Sequence, residues 1–157
     1  MTYSLDTNAC IDAWREYYPY EVFPKVWDGW ITSLFEKGML IVSRSVFDEL
    51  EVGGDDLFAW VKKNSAAAVR EDDEAVQTNV ASIQLSWPNK DTDFQRRLKG
   101  ADLFVIGQAM FIKGIVVSHE QKAGNLRDPK IPDACQHLGI ECIQIAEMFK
   151  REGFSFS

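Results

Sequence analysis

ADLFVIGQAMFIKGIVVSHE, residues 101–120, reads as a helix followed by a buried strand. Gly100 precedes the helix, which the pattern predicts over 101–113, and Gly114 terminates it. Ile115-Val116-Val117-Ser118 is then a continuous apolar run, as expected of a parallel strand covered on both faces. An acid marks each end of the unit: Asp102 opens the helix and Glu120 follows the strand.

The same alternation extends in both directions. Tyr3-Ser4-Leu5 is a short strand that ends at Asp6, and Met39-Leu40-Ile41-Val42-Ser43 is a second buried strand. Residues 67–69 are a candidate edge strand and 141–145 a last strand. Between them, Val26, Trp27, Trp30, Ile31, Leu34 and Phe35 recur at the spacing of one helical face, with Pro24 suited to the first turn and Gly38 to the end. Ser45 is placed to cap the next helix, with Asp48 three residues on. Further helices are predicted over 55–64, 76–87, 132–138 and 146–151. Short strands alternating with helices imply a three-layer α/β/α domain with a central parallel sheet. The 157 residues, without repeats or a linker, fit one domain over 1–157.

Composition narrows the class. The chain is 46% hydrophobic and 26% charged, ordinary for a globular protein, and no apolar run approaches a membrane span. The first six residues lack a basic region followed by an apolar stretch, so no signal peptide and no membrane partner are expected. Cys10, Cys135 and Cys142 are an odd count without zinc-site spacing and read as reduced, buried thiols of a cytoplasmic protein.

Ligand sites of such sheets lie beyond the carboxyl ends of the strands. Asp6, Glu49, Asp102 and Glu120 all fall at or near that edge, from distant parts of the chain. Grouped carboxylates resist ionising together unless a cation neutralises them. Magnesium or manganese suits such oxygen donors, and divalent ions promote phosphodiester hydrolysis. Asn8 and Ser118 are neutral donors able to orient a carboxylate or a phosphate. Each acid alone has a plainer reading: Asp6 as a helix cap, Asp102 as a favourable charge in a first turn, Glu49 and Glu120 as solvated side chains. Joint order and strand-end placement favour the metal reading. A phosphatase of the haloacid dehalogenase type also begins with such an Asp but needs a second Asp two residues later, where this chain has Asn8.

These motifs resemble those of the PIN-domain family. Asp6-Thr7-Asn8 after an N-terminal strand is similar to its opening motif, and the stretch from Ser43 to Glu49-Leu50 to its second. Ala101-Asp102 is similar to the third and Ser118-His119-Glu120 to the fourth, in which Thr and Asp usually stand where this chain has Ser118 and Glu120. Residues 12–30 and 130–135 resemble a prokaryotic branch related to toxin–antitoxin toxins. The resemblance implies a PIN-like fold and a metal-dependent endoribonuclease acting on RNA, with an antitoxin protein and a homodimer as partners. It implies Asp6, Glu49, Asp102 and Glu120 as catalytic metal ligands supported by Asn8 and Ser118, with Asp133 as a rival fourth carboxylate.

The net charge of −7 opposes nucleic-acid binding and predicts a weak, metal-dependent interaction. Arg96, Arg97 and Lys99 form the clearest basic cluster and are the candidate phosphate contacts. His119 is expected at the surface, and the aromatic group from Trp14 to Trp30 in the core or at a dimer surface. The alternative function is a catalytically weak or inactive PIN-like scaffold whose acidic edge docks a basic partner.

Overall fold

The computed structural model describes residues 1–88, 98 and 100–156. Five strands form one sheet: β1 (Tyr3–Leu5), β2 (Leu40–Ser43), β3 (Val69–Arg70), β4 (Ile115–Val117) and β5 (Cys142–Ile143). Their order across the sheet is β3-β2-β1-β4-β5, and every pair is parallel. Tyr3 stands opposite Leu40 on one side and Ile115 on the other, so the strand ends are level and whatever follows them shares one edge.

Among the described residues, eight α-helices flank the sheet: α1 (Thr7–Asp12), α2 (Thr32–Glu36), α3 (Arg44–Gly53), α4 (Asp56–Asn64), α5 (Glu74–Ser86), α6 (Ala101–Ile112), α7 (Ile131–Leu138) and α8 (Ile145–Arg151). The result is the three-layer α/β/α arrangement, and alternation along β1 shows how it is filled. Ser4 turns toward α6, where its buried hydroxyl donates to the Val105 carbonyl at 2.8 Å. Tyr3 turns the other way, and its hydroxyl reaches Glu152 beyond α8 at 3.2 Å. Central strands with no wet face must be apolar throughout, and β1, β2 and β4 are buried at every residue. Gly114 joins α6 to β4 where a Cβ would lie 2.4 Å from the Thr2 carbonyl oxygen, the acceptor of the Ile115 N–H. Only glycine allows that approach.

Several local expectations are corrected. The edge strand is Val69–Arg70 rather than 67–69, because Ala68 still belongs to the turn in which its N–H binds the Ser65 carbonyl. Ser43, not Ser45, caps α3: its hydroxyl accepts the Val46 N–H at 3.1 Å, while Ser45 is held by Asp72. Two π-helical segments, Ala13–Tyr17 and Val26–Ile31, bracket the turn between α1 and α2. Around them Trp14, Trp27 and Trp60 form a mutual cluster, with ring centroids 4.8 to 6.2 Å apart. Trp27 and Trp30 are buried, Trp14, Tyr18, Tyr20 and Phe23 are partly buried against the core, and Tyr17 is exposed. No helix among the described residues is long and apolar enough to cross a membrane.

Candidate metal centre

Strand order makes a crevice where β1 and β4 meet. The chain leaves β1 toward β2 on one side and arrives at β4 on the other, so the connections diverge above that pair. Asp6 and Ser118 are the first residues beyond these two strands. The Asp6 N–H continues the ladder to the Val117 carbonyl at 2.9 Å, which fixes Asp6 at the floor of the crevice.

Asp6 is fully buried and does not cap α1 with its side chain. Its Oδ2 accepts from the Ser118 hydroxyl at 3.0 Å. Its Oδ1 is buried without a hydrogen-bond partner among the described residues. Burial pushes the Asp6 carboxyl up; the Ser118 hydroxyl and the Thr7 N–H oppose this, Glu120 and Glu49 add to it, and the outcome is about 7. Asp102, in the first turn of α6, is pushed to about 8, first by burial and then by Asp6, Glu120 and Glu49, with Lys130 opposing. Four acids from four parts of the chain therefore act on one another at this edge.

The two glutamates are held by neighbours. Thr7 donates to Glu49 Oε2 at 2.7 Å, and the Ala101 N–H lies 3.4 Å from Oε1. Gly100, at φ +60, admits this approach, since a Cβ there would stand 3.1 Å from Glu49 Oε1. Asn8 donates to Glu120 Oε1 at 3.1 Å and the Ile131 N–H to Oε2 at 2.9 Å. Ser118 joins the halves: its hydroxyl donates to Asp6 and accepts the Glu120 N–H at 3.2 Å. As the side chains stand, no three metal-ligating groups among the described residues form a ready cluster. The fit of a divalent ion rests on the donor set itself: an all-oxygen group, one buried carboxylate oxygen lacking a partner, and two acids whose ionisation is opposed first by burial and then by their acidic neighbours.

Asp133, the rival ligand, has another task. Its Oδ2 accepts from the Ala123 and Lys130 N–H groups, both at 2.8 Å, and its Oδ1 from Gly124 at 2.9 Å. Burial alone would raise this carboxyl, but the three N–H donors outweigh burial and hold it low. It is not among the charges that raise Asp6 or Asp102. Asp133 pins the turn before α7 to the start of that helix.

His119 is half-buried rather than superficial, with its side chain only 6% exposed. Its Nε2 accepts the Ile145 N–H at 3.4 Å, Nδ1 lies 3.8 Å from Asp12, and Tyr17 packs edge-on at 5.0 Å. Burial lowers its pKa and Asp12 opposes this, so it sits as neutral packing. Arg96, Arg97 and Lys99 lie outside the described residues. Thr7 and Lys130 act at the site without being foreseen. Adjacency to Asp6 is a usable signal for Thr7, whereas Lys130 nears Asp102 only through the tertiary fold.

A family model described as a domain of unknown function, DUF4411, matches residues 3–156. The chain belongs to that family. No curated protein and no solved structure matches it.

Proposed function

We propose that this DUF4411 member is a PIN-like, magnesium- or manganese-dependent endoribonuclease that hydrolyses RNA phosphodiesters. The observation that carries the reading is the acidic set beyond β1 and β4: Asp6 is fully buried with one carboxylate oxygen unpartnered, and Asp6 and Asp102 are pushed to about 7 and 8 by burial and by the neighbouring acids. Such a set is costly without a cation and favourable with one.

A divalent ion held by Asp6, Glu49, Asp102 and Glu120 would supply Lewis acidity, polarising the phosphoryl group and acidifying water. The chain's own groups do the positioning. Ser118 orients Asp6 and, through the Glu120 N–H, sets the backbone of the fourth carboxylate. Asn8 and Thr7 hold Glu120 and Glu49 as rigid acceptors. Lys130, which already acts on Asp102, brings positive charge to a site that must receive a phosphate. An antitoxin partner, a homodimer and a cytoplasmic setting belong to the same proposal and rest on the resemblance of the motifs.

One observation favours a second reading. All four oxygens of Glu49 and Glu120 already meet protein donors, as expected if the edge is a fixed acidic surface for a basic partner. Calorimetric titration with manganese separates the two. A nuclease centre binds the ion and releases protons from Asp6 and Asp102, and its RNA cleavage stops with EDTA; a docking surface shows neither.

A further inference from the structure

Two cavities share one side chain, and the larger of them borders the acidic site. One, of about 370 Å³, reaches from Ser118 and Glu120 to Gln121, Cys142 and Gln144 above β4 and β5. The other, of about 250 Å³, lies among Asn125, Leu126, Gln136 and His137. Lys122 lines both. The volumes are at or below the lower end of the roughly 300–1,000 Å³ of small-molecule pockets, so each suits one nucleotide or one base.

The charge around them runs against the chain as a whole. Residues 122–130 carry three cations, Lys122, Arg127 and Lys130, against one acid, Asp128, within a protein of net charge −7. All three cations are exposed. Lys130 acts on Asp102 and Lys122 on Asp133, and the Asp133 carboxylate is already engaged by three N–H groups.

The segment is also stiff. Asp133 pins its Ala123 and Gly124 N–H groups, Trp87 donates to the Leu126 carbonyl at 2.9 Å, and Asn125 Oδ1 accepts the N–H groups of Arg127 and Asp128. Trp87 stands edge-on to His137 at 5.0 Å, which fixes an aromatic wall of the second cavity. A preorganised wall spends little ordering entropy on binding.

We propose that residues 122–130 are the substrate rail of the site and that Lys122 divides two subsites for neighbouring nucleotides of a single strand. The nucleotide beside Glu120 enters the larger cavity, Lys122 contacts the phosphate between the two, and an unstacked base enters the smaller cavity against His137. Paired RNA keeps its bases inside the helix and cannot fill these cavities, so the ligand is single-stranded. This rests on the nuclease reading for its substrate class, yet it is tested without catalysis.

The experiment is fluorescence anisotropy with a labelled oligouridine and a labelled RNA duplex, in EDTA, for the wild type, Lys122→Gln and His137→Ala. Both positions are exposed, and circular dichroism confirms folding. Expected are preference for the single strand, a loss of roughly fivefold or more in affinity for each variant, and a salt slope lower by roughly 0.7–1 for Lys122→Gln. Wild-type affinity in both variants, preference for duplex, or no single-strand binding by the wild type overturns the rail. Cleavage measured in parallel keeps the two proposals apart. Cutting by the wild type with unaffected variants leaves the nuclease and removes the rail, whereas impaired binding without metal-dependent cutting leaves the rail and removes the nuclease.

Discussion

Replacing Asp6 by Asn shifts the stability of the metal-free protein in the variant's favour as pH rises, and makes the variant the more stable of the two around neutral pH and above. Asp6 is fully buried and its carboxyl stands at about 7, whereas in the unfolded chain it ionises near the ordinary value of 3.8. Between these values the folded state keeps a proton that the unfolded state has released, so stability falls with rising pH. At low pH both states are protonated and nothing is lost; above the folded value the full cost is in place. A displacement of about three pH units corresponds to about 4 kcal/mol, of which roughly 2–3 kcal/mol falls between about pH 5 and pH 8. Asn cannot ionise. Its carbonyl can accept the Ser118 hydroxyl that Oδ2 accepts now, while its amide nitrogen takes the place of the unpartnered Oδ1. That misfit costs about 1–3 kcal/mol, independent of pH. Urea unfolding in the presence of a chelator, from about pH 5 to pH 8, is therefore expected to shift the stability difference toward the variant by about 2–3 kcal/mol at constant m-value. Asp102 contributes in the same direction, since Asp6 is the leading charge that raises it. A difference that stays constant over this range would show that Asp6 is ionised in the folded protein, and the countercharge argument would fail.

Ser118→Ala removes the hydroxyl that stabilises ionised Asp6; the Asp6 carboxyl then rises further, and manganese affinity near neutral pH drops roughly tenfold, recovering as pH increases, as titration calorimetry would show. Asp133→Ala strands three backbone N–H groups and costs about 3 kcal/mol or more by urea unfolding. Because the Asp133 carboxyl is held low, the charge-dependent part of that contribution is full at neutral pH and is lost as pH falls from the ordinary Asp value through the folded one, so the gap between variant and wild type narrows in acid. Gly114→Ala places a methyl 2.4 Å from the Thr2 carbonyl oxygen and is expected to lower stability by about 1–3 kcal/mol, read as a lower urea midpoint.

The sheet was legible wherever burial on both faces forces an unbroken apolar run, as in 40–43 and 115–117. The two-residue strands β3 and β5 are half-buried edges, each paired on one side only through two residue pairs, so their bounds shifted. Which serine caps α3 depends on where β2 ends, something neither Ser43 nor Ser45 announces. Strand-end placement accounts for Asp6 just beyond β1 and Glu120 beyond β4, whereas Asp102 stands in the first turn of α6 and the described residues form no ready metal cluster. The task of Asp133 was not legible, because its three donors come from a turn and a helix start that no periodicity marks. His119 was misplaced for a similar reason: Tyr17 and Asp12, which stand against it, come from the distant N-terminal part of the chain.

The most direct test of the central claim is RNA cleavage by the wild type and by Asp6→Asn, each with magnesium or manganese and each with EDTA. The predicted result is metal-dependent cutting by the wild type, abolished by EDTA and absent from a variant that is folded and, without metal, more stable than its parent. Cutting that persists in EDTA or in Asp6→Asn, or no cutting of any single-stranded RNA by the folded wild type with either ion, would contradict it.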